Sequence, residues 1–427
     1  MACGCLCDDI ALSIVGGRIL EARCACELGR AWFLRDHDQG DRPAALIDGR
    51  AVPTSEALDR AAAVLALARA PVILGLDATT IETQGVAVAL ADWLGAVIDP
   101  THSQGAIPRL RAVQRVGQVS ATLGEVKNRA DLVLFWGVDP VVTHPRHFER
   151  YSVEPVGRFV PEGRAGRSVL VADASPTATA ERADVFLQVQ PDAQFETLHA
   201  LRALIRQVPL DPRRAETSTG VLWEQLRDWA DRLTKARYGA FFFGDGLGKA
   251  RGGSANVEAA LLLVRDLNTT QRFVALTLGG PGNPSGAESV LTWQAGFPTG
   301  VDLSLGVPRP LPADLTALDL LARGEADAAL IVADDPTPYL SPAARDHLGR
   351  IPTIVIAPDA TSRTAHVALA SATYGIHAPG TVARSDGVLL PLRPPLATDL
   401  PTDRQLLIKI LVRLNPRIER KETNVNT

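Results

Sequence analysis

Sulfur is nearly absent from this 427-residue chain. Met1 is the only methionine, and all five cysteines lie close to the N-terminus, at Cys3, Cys5, Cys7, Cys24 and Cys26. An odd number of cysteines in one short segment is a poor disulfide framework for a chain of this length. It is typical of a metal or cluster site, or of the remnant of one, in a reducing compartment. The cysteine pattern therefore predicts a cytoplasmic protein.

Strong charge and long apolar runs are also missing. Lys and Arg number 44 against 48 Asp and Glu, a net charge of -4, which argues against nucleic acid as a partner because phosphate binding needs a concentrated positive field. The uncharged apolar stretches, such as 61–68, are far shorter than the roughly 18 to 20 residues that span a membrane. Asp8 and Asp9 are acidic, whereas an export signal would carry basic residues at these positions. We expect no membrane association and no export.

Short buried-strand patterns alternate with helical patterns along most of the chain. The apolar runs typical of parallel strands occur at 71–76, 96–98, 132–137, 168–173, 185–189, 240–244, 273–278, 329–333 and 353–357. Strands separated by helices imply crossover connections and parallel pairing. The sequence predicts an α/β protein with two doubly wound, mostly parallel sheets.

The same pattern predicts a domain division. Short strands and glycine turns near the N-terminus indicate a small β unit with the cysteines at 1–52. A discontinuous α/β domain is expected at 53–139 and 313–414, with a second α/β domain inserted at 140–312. Residues 415–427 are interpreted as a tail.

Ligands of doubly wound sheets bind beyond the carboxyl ends of parallel strands. The loops that follow the predicted strands are 99–105, 137–147, 244–249 and 279–283. Their glycines permit close backbone approach to a nucleotide-like ligand, but none of the loops matches a dinucleotide or P-loop motif, so ordinary turn glycines without a ligand are the favoured interpretation. His144 and His147 stand three residues apart and are interpreted either as an anion or metal site or, more simply, as hydrogen-bonded loop residues.

The cysteine spacing alone leaves two interpretations open. Cys3, Cys7 and Cys26 have a spacing compatible with three thiolate ligands, whereas Cys5 and Cys24 each lie two residues from another cysteine. One interpretation is a metal site, including a structural zinc held by these three and a neighbouring thiol. The other is a set of reduced cysteines in a small β unit.

Several segments together resemble the B subunit of formylmethanofuran dehydrogenase, a member of the wider molybdopterin oxidoreductase group. They are LCDDI (6–10), CELG (26–29), GEVKNRAD (124–131), LFWGVDPVVTHPRHF (134–148) and VRDLN (264–268). The resemblance covers about residues 3 to 410 and implies a molybdopterin-oxidoreductase-like fold. In that family the protein carries a molybdenum- or tungsten-pterin cofactor and a [4Fe-4S] cluster.

The chain departs from the family at the residues that would hold these groups. The resemblance places Cys3, Cys7 and Cys26 on three of the four cluster ligands, and the first ligand would precede Met1, so we expect no cluster. The metal-ligating Cys, His and Gly of the pterin site correspond to Ser103, Gln104 and Gly105. An arginine expected in the last glycine loop is Gly279. With His144 and Arg146, these residues form what we interpret as a degenerate pocket without a cofactor.

This set of losses resembles the B subunit of the bacterial formyltransferase/hydrolase complex. The resemblance implies an amidohydrolase-type A subunit, a carrier-binding C subunit and a formyltransferase D subunit as partners, and a methanofuran-type carrier. The leading hypothesis is a non-catalytic structural subunit with no catalytic residues. The alternative is an active molybdenum- or tungsten-pterin formylmethanofuran or formate dehydrogenase subunit with Ser103 as the metal ligand.

Overall fold

The structure is a computed structural model that describes residues 2–37, 42–312 and 315–415. Of the predicted tail, only Asn415 lies within these ranges. No helix in the described ranges is long and apolar enough to cross a membrane.

The described strands are short, and nine of the eighteen overlap the predicted apolar runs. In chain order they are β1 (Ala11–Val15), β2 (Arg18–Arg23), β3 (Ala45–Ile47), β4 (Arg50–Ala51), β5 (Pro71–Gly75), β6 (Val97–Pro100), β7 (Leu132–Trp136), β8 (Ser168–Asp173), β9 (Val185–Gln188), β10 (Tyr238–Phe243), β11 (Arg272–Thr277), β12 (Val301–Asp302), β13 (Arg309–Pro310), β14 (Ala328–Val332), β15 (Thr353–Ala357), β16 (Val367–Ala370), β17 (Gly380–Ala383) and β18 (Leu389–Leu392).

The α-helices fill most of the connections between these strands. They are α1 (Glu27–Leu34), α2 (Thr54–Leu67), α3 (Ile81–Leu94), α4 (Ser103–Val116), α5 (Leu123–Arg129), α6 (Pro140–Thr143), α7 (Gln194–Ile205), α8 (Pro212–Thr219), α9 (Trp223–Lys235), α10 (Asp245–Lys249), α11 (Ser254–Leu267), α12 (Pro284–Ala295), α13 (Ala317–Ala322), α14 (Pro342–Leu348) and α15 (Asp403–Leu414).

Two large sheets organise the chain, as predicted. The smaller has five parallel strands in the order β11-β10-β7-β8-β9. The larger has nine in the order β13-β12-β6-β5-β14-β15-β16-β3-β4, of which the central run from β6 to β16 is parallel and the outer pairs are antiparallel. Alternate side chains of the buried strands enter separate apolar clusters, so both faces of each sheet are covered.

The chain passes from one sheet to the other at residues that differ from the predicted domain boundaries. Strand β7, placed by sequence in the first domain, pairs with β8 and β10 of the five-stranded sheet. Strands β12 and β13, placed in the insertion, extend the nine-stranded sheet beside β6. Helices α4 and α5 lie between β6 and β7 along the chain, so the crossing between the sheets comes earlier than expected. The sequence orders the strands but does not show which of them pair.

The N-terminal unit is smaller than predicted. It consists of the β1-β2 hairpin and helix α1, whereas β3 and β4 join the large sheet through β16. Cys26 caps α1, because its sulfur accepts a hydrogen bond from the backbone N–H of Gly29 at 3.4 Å.

Candidate functional site

A cavity of about 840 Å³ lies where the carboxyl ends of strands from both sheets meet. Loops after β5, β6 and β14 of the large sheet and after β10 and β11 of the small sheet line it. This is the edge at which α/β proteins bind ligands. The cavity is therefore the candidate functional site.

A chain of four charged side chains lines one wall of this cavity, and we call it the His102 network. It consists of Asp77, His102, Glu288 and Arg109. Nδ1 of His102 lies 2.7 Å from Asp77 Oδ1, and Nε2 lies 3.3 Å from Glu288 Oε1. Arg109 donates to the same Glu288 oxygen at 2.5 Å. Two cations thus alternate with two carboxylates.

The pKa values follow from this alternation. Burial lowers the pKa of His102, but the Asp77 and Glu288 carboxylates outweigh burial and raise that pKa well above its ordinary value. Burial raises the pKa of Glu288, but Arg109 and His102 outweigh it and bring the pKa to about 2. The imidazole is therefore protonated at neutral pH and both of its nitrogens are engaged. It is not available as a general base.

Ser103, the position that the family resemblance gives to the metal ligand, does not line the cavity. Its side chain is 1% exposed, and its hydroxyl contacts the Asp99 carboxylate and, at 2.6 Å, the carbonyl oxygen of Pro100. Asp99 also accepts from the backbone N–H groups of Gly300 and Ala317, both at 2.8 Å. Burial raises the pKa of Asp99 to about 6 despite these hydrogen bonds. The hydroxyl of Ser103 joins loops of the large sheet.

Three other predicted pocket residues do line the cavity. Gln104 and Gly105 lie at the start of α4, and Gly279 lies in the glycine loop after β11. Gly282, in the same loop, has a φ of 86°, and a Cβ there would lie 2.2 Å from the carbonyl oxygen of Asp77. The loop therefore needs glycine to approach the His102 network so closely.

His144 and Arg146 lie behind the cavity and bind other parts of the chain. His144 Nε2 is 3.0 Å from the carbonyl oxygen of Gly279, and burial lowers the pKa of His144 to about 4. Arg146 forms a two-point ion pair with Asp9 at 2.7 and 2.8 Å and also contacts the carbonyl oxygen of Cys24. Residues 144–148, the HPRHF loop, thus connect the N-terminal cysteine segment to the five-stranded sheet.

The three predicted metal-ligand cysteines share a smaller cavity. Cys3, Cys7 and Cys26 line a mostly apolar space of about 120 Å³, while Cys5 is buried behind it and Cys24 is exposed. Within the described ranges, no group of three or more His, Cys, Asp or Glu residues is placed to hold a metal ion. The fold brings these three thiols to one place without arranging them as a ligand shell.

The residues of the main cavity do not fit a thiolate-ligated metal. The chain has no cysteine after Cys26, Ser103 faces Asp99, and His102 is held between carboxylates. A soft metal-pterin centre needs a soft or deprotonated donor aimed at the ligand.

The sequence analysis did not predict the His102 network. A signal for two of its members was available, because His102 lies in the predicted loop 99–105 and Asp77 follows the predicted strand 71–76, so both are polar residues that follow a strand. Glu288 and Arg109 lie inside helices, and no sequence signal marks them.

This architecture defines a mixed α/β protein with two mostly parallel sheets that meet at a cavity. Its fold is similar to that of acetylene hydratase from Pelobacter acetylenicus, with a TM-score of 0.67 at 13% identity, covering 97% of this chain and 68% of that one. The chain belongs to the family of formylmethanofuran dehydrogenase B subunits. It is 38% identical over 425 residues to the B subunit of the tungsten-containing formylmethanofuran dehydrogenase 2 of Methanocaldococcus jannaschii, covering 96% of both chains. The Methanococcus maripaludis protein of the same name is 36% identical, with 92% of this chain and 91% of that protein covered.

A bacterial relative is also similar. The B subunit of the formyltransferase/hydrolase complex of Methylorubrum extorquens is 30% identical over 298 residues, which is 69% of this chain and 76% of that protein. The crystal structure of that complex with methylofuran contains a chain with a TM-score of 0.71 and 28% identity, covering 88% of this chain and 99% of that one. No protein-family model matches the sequence. The family resemblance found in the sequence is confirmed by these relatives, which support a subunit role in a heteromeric complex.

Proposed function

We propose that this chain is a non-catalytic structural subunit of a formyltransferase/hydrolase complex. Such a complex converts formyl-tetrahydromethanopterin to formate through a formyl-methanofuran-type carrier. An amidohydrolase-type A subunit, a carrier-binding C subunit and a formyltransferase D subunit perform the chemistry. This chain stabilises the A and C subunits, and it occupies the position that the catalytic B subunit holds in formylmethanofuran dehydrogenase.

The position of Ser103 carries the proposal. Its hydroxyl is buried against Asp99 rather than directed at the cavity, and Gln104 beside it cannot titrate as the imidazole it replaces would. The charges of the His102 network are paired within the chain, since each cation faces a carboxylate. Both features support a cavity that keeps its shape without a metal cofactor.

The deciding experiment is a metal analysis of the complex purified from its native source. We expect far less than one molybdenum or tungsten atom per copy of this chain, and close to one atom per copy overturns the proposal. The Ser103→Ala variant, reconstituted with the other subunits, is expected to leave the rate of formyl hydrolysis unchanged, because the Ser103 hydroxyl is buried against Asp99 and does not line the cavity.

Assembly is a separate test. This chain, mixed with the A, C and D subunits of the same organism, is expected to elute with them in size-exclusion chromatography. Mixtures that lack this chain are expected to yield an unstable A–C pair. If A and C form an equally stable and active assembly without it, the scaffolding role is wrong.

A second candidate is an active tungsten- or molybdenum-pterin formylmethanofuran or formate dehydrogenase subunit in which Ser103 ligates the metal. The observation in its favour is the 38% and 36% identity to the tungsten-containing archaeal subunits over nine tenths of the chain. It predicts bound metal, the visible absorption of a cluster on the N-terminal cysteines, and loss of metal together with dye-linked formate oxidation in Ser103→Ala.

A further inference from the structure

Two aspartates stand side by side where neighbouring strands of the large sheet end. Strands β5 and β14 pair in parallel with Gly75 opposite Val332, so the residues that follow them leave the sheet in the same register. Asp77 and Asp334 each come two positions further along, and both line the main cavity. Burial, followed by the charge of Asp77, raises the pKa of Asp334.

The backbone before each aspartate is strained. Leu76 has a φ of 76° and Ala333 a φ of 65°, which are left-handed values that residues other than glycine rarely adopt. Hydrogen bonds to neighbouring strands hold this geometry. The backbone N–H of Leu76 donates to the carbonyl oxygen of Val332 at 3.0 Å, and the N–H of the second residue donates to that of Ile356 at 2.6 Å. Strain of this kind clusters at ligand sites, where it gives a side chain a direction that regular strand geometry does not provide.

The two carboxylates differ in their partners. Asp77 is neutralised within the His102 network. Asp334 accepts the backbone N–H that follows it at 2.9 Å, and it forms no ion pair with a Lys, Arg or His of the described ranges. Arg363 donates to the carbonyl oxygen of Asp334 at 2.7 Å, but the charge of this arginine is paired with Asp359, also at 2.7 Å.

The cations on the cavity wall are already paired. Two of them belong to the His102 network, and Lys249 lies 3.7 Å from Asp245. The positive end of helix α4 is also met by a carboxylate, because the backbone N–H at its N-terminus donates to Asp77. Asp334 is therefore the carboxylate of the described cavity wall that lacks a neutralising cation.

A hydroxyl and an aromatic ring line the same part of the cavity. Thr101 is 4% exposed, and its Oγ1 atom has no hydrogen bond of good geometry within the described chain, although it is close enough to Asp334 to oppose the rise in the pKa of that carboxyl. A buried hydroxyl without a partner is typical of a place where a polar group binds. Tyr339, five residues after Asp334, lines the cavity while 61% exposed, so its ring is open to a ligand.

We propose that Asp334, Thr101 and Tyr339 bind an organic cation of the primary-ammonium class in the main cavity. The ammonium group donates to the Asp334 carboxylate and to the Thr101 hydroxyl, and the Tyr339 ring attracts the positive charge through its face. The volume of about 840 Å³ lies within the range of small-molecule sites. This inference goes beyond the proposed structural role, because a subunit without catalytic residues still binds a ligand where its cavity offers a matching charge.

The test compares three probes of similar shape and different charge: benzylamine, which is protonated at neutral pH, benzyl alcohol and benzoate. Each is titrated into the full-length protein after metal analysis of the same sample, and binding is followed by ligand-observed NMR. We expect saturable benzylamine binding with a Kd on the order of 1 mM, as suits a ligand of this size, and binding of the other two that is weaker by about tenfold or more. Benzoate that binds as tightly as benzylamine overturns the proposal, and so does benzylamine that does not saturate.

Variants assign the binding to these side chains. Asp334→Asn keeps the shape and a hydrogen-bond acceptor, and it is expected to weaken benzylamine binding by about tenfold or more. Tyr339→Ala is expected to weaken it by about threefold, the size of an exposed cation–π contact. Asp346→Asn, which neutralises an exposed carboxylate of α14 outside the cavity, is the control and should keep the wild-type affinity.

Wild-type affinity in Asp334→Asn overturns the proposal. The outcomes also separate this inference from the proposed function. Metal-free protein that does not bind benzylamine contradicts the ammonium site alone and leaves the structural role unaffected. A sample that carries molybdenum or tungsten in a stoichiometric amount contradicts both, because a pterin cofactor would then fill the cavity.

Discussion

Nδ1 of His102 lies 2.7 Å from Oδ1 of Asp77, and the backbone N–H of His102 donates to Oδ2 of the same carboxylate at 3.1 Å. This double contact fixes the ring so that its second nitrogen faces Glu288. Asp77 follows β5 of the large sheet, while His102 leads into α4, which packs against α11 beside the small sheet. His102 also follows β6, the neighbour of β5 in the large sheet, so the pair joins two adjacent loops of that sheet at the wall of the cavity.

Removing His102 should destabilise the fold strongly. His102→Ala leaves the Asp77 carboxylate buried without its cation and weakens the pairing of Glu288, and a broken buried pair costs about 3 kcal/mol or more. The free energy of unfolding, measured by urea titration, is the readout. As a control, Arg232→Ala removes an exposed pair with Asp228 and should cost no more than about 0.5 kcal/mol. Equal losses in the two variants contradict the assigned role.

The low pKa of Glu288 predicts acid sensitivity. The folded-state pKa is about 2 against an ordinary 4.5, so the stabilisation from this carboxylate is complete above pH 4.5 and is lost as pH falls towards 2. Glu288→Gln should therefore show a shallower fall of melting temperature across this range. Glu258→Gln, which removes a carboxylate paired with the exposed Arg115, is the matched control and should keep the wild-type slope.

The glycine loop offers a matched pair of substitutions. At Gly282, with its φ of 86°, a Cβ would lie 2.2 Å from the Asp77 carbonyl oxygen, whereas at Gly280 nothing lies within 4 Å. Gly282→Ala should lower the free energy of unfolding by about 3 kcal/mol, from backbone strain and the clash together. Gly280→Ala should stay within about 0.5 kcal/mol of the wild type. Thermal or urea unfolding of both variants measures the difference.

Arg146 should control access to the N-terminal thiols. Arg146→Ala removes the two-point pair with Asp9 and the contact with the Cys24 carbonyl oxygen, so the segment should open more often. A loss of about 1.5 kcal/mol corresponds to roughly tenfold faster alkylation of the half-buried Cys7. Arg323→Ala, which removes only a 4.0 Å contact with Glu325, is the control and should not change this rate. An unchanged rate in Arg146→Ala would show that other contacts hold the segment.

The buried strands were predictable because parallel strands covered on both faces are continuous apolar runs. The run 168–173 coincides with β8, and 353–357 coincides with β15. Helix α12 was hidden in a stretch rich in glycine and proline. Its proline is Pro284, at the first helical turn, where a missing N–H costs nothing. The average composition of residues 279–312 could not show that a helix begins at Pro284.

The site was less predictable than the fold. Ser103, Gln104 and Gly279 were identified through the family resemblance, but the direction of the Ser103 side chain depends on Asp99, Gly300 and Ala317, which only the folded chain brings together. Likewise, the partners of His102 are 25 and 186 residues away along the chain. Charged groups that meet over such distances have no local pattern.

Gly4 packs so closely against the glycine loop that a Cβ there would lie 2.8 Å from the carbonyl oxygen of Gly279, and this contact has a consequence for biosynthesis. The segment that carries Cys3 and Cys5 leaves the ribosome some 275 residues before the loop against which it packs. At about 5 to 20 residues per second, its docking surface is completed roughly 15 to 55 seconds later. Its contacts with Arg146 and His147 become possible after about half of that interval, and until then the thiols of the cysteine-rich segment meet the redox conditions of the cell without the contacts that bury them in the fold.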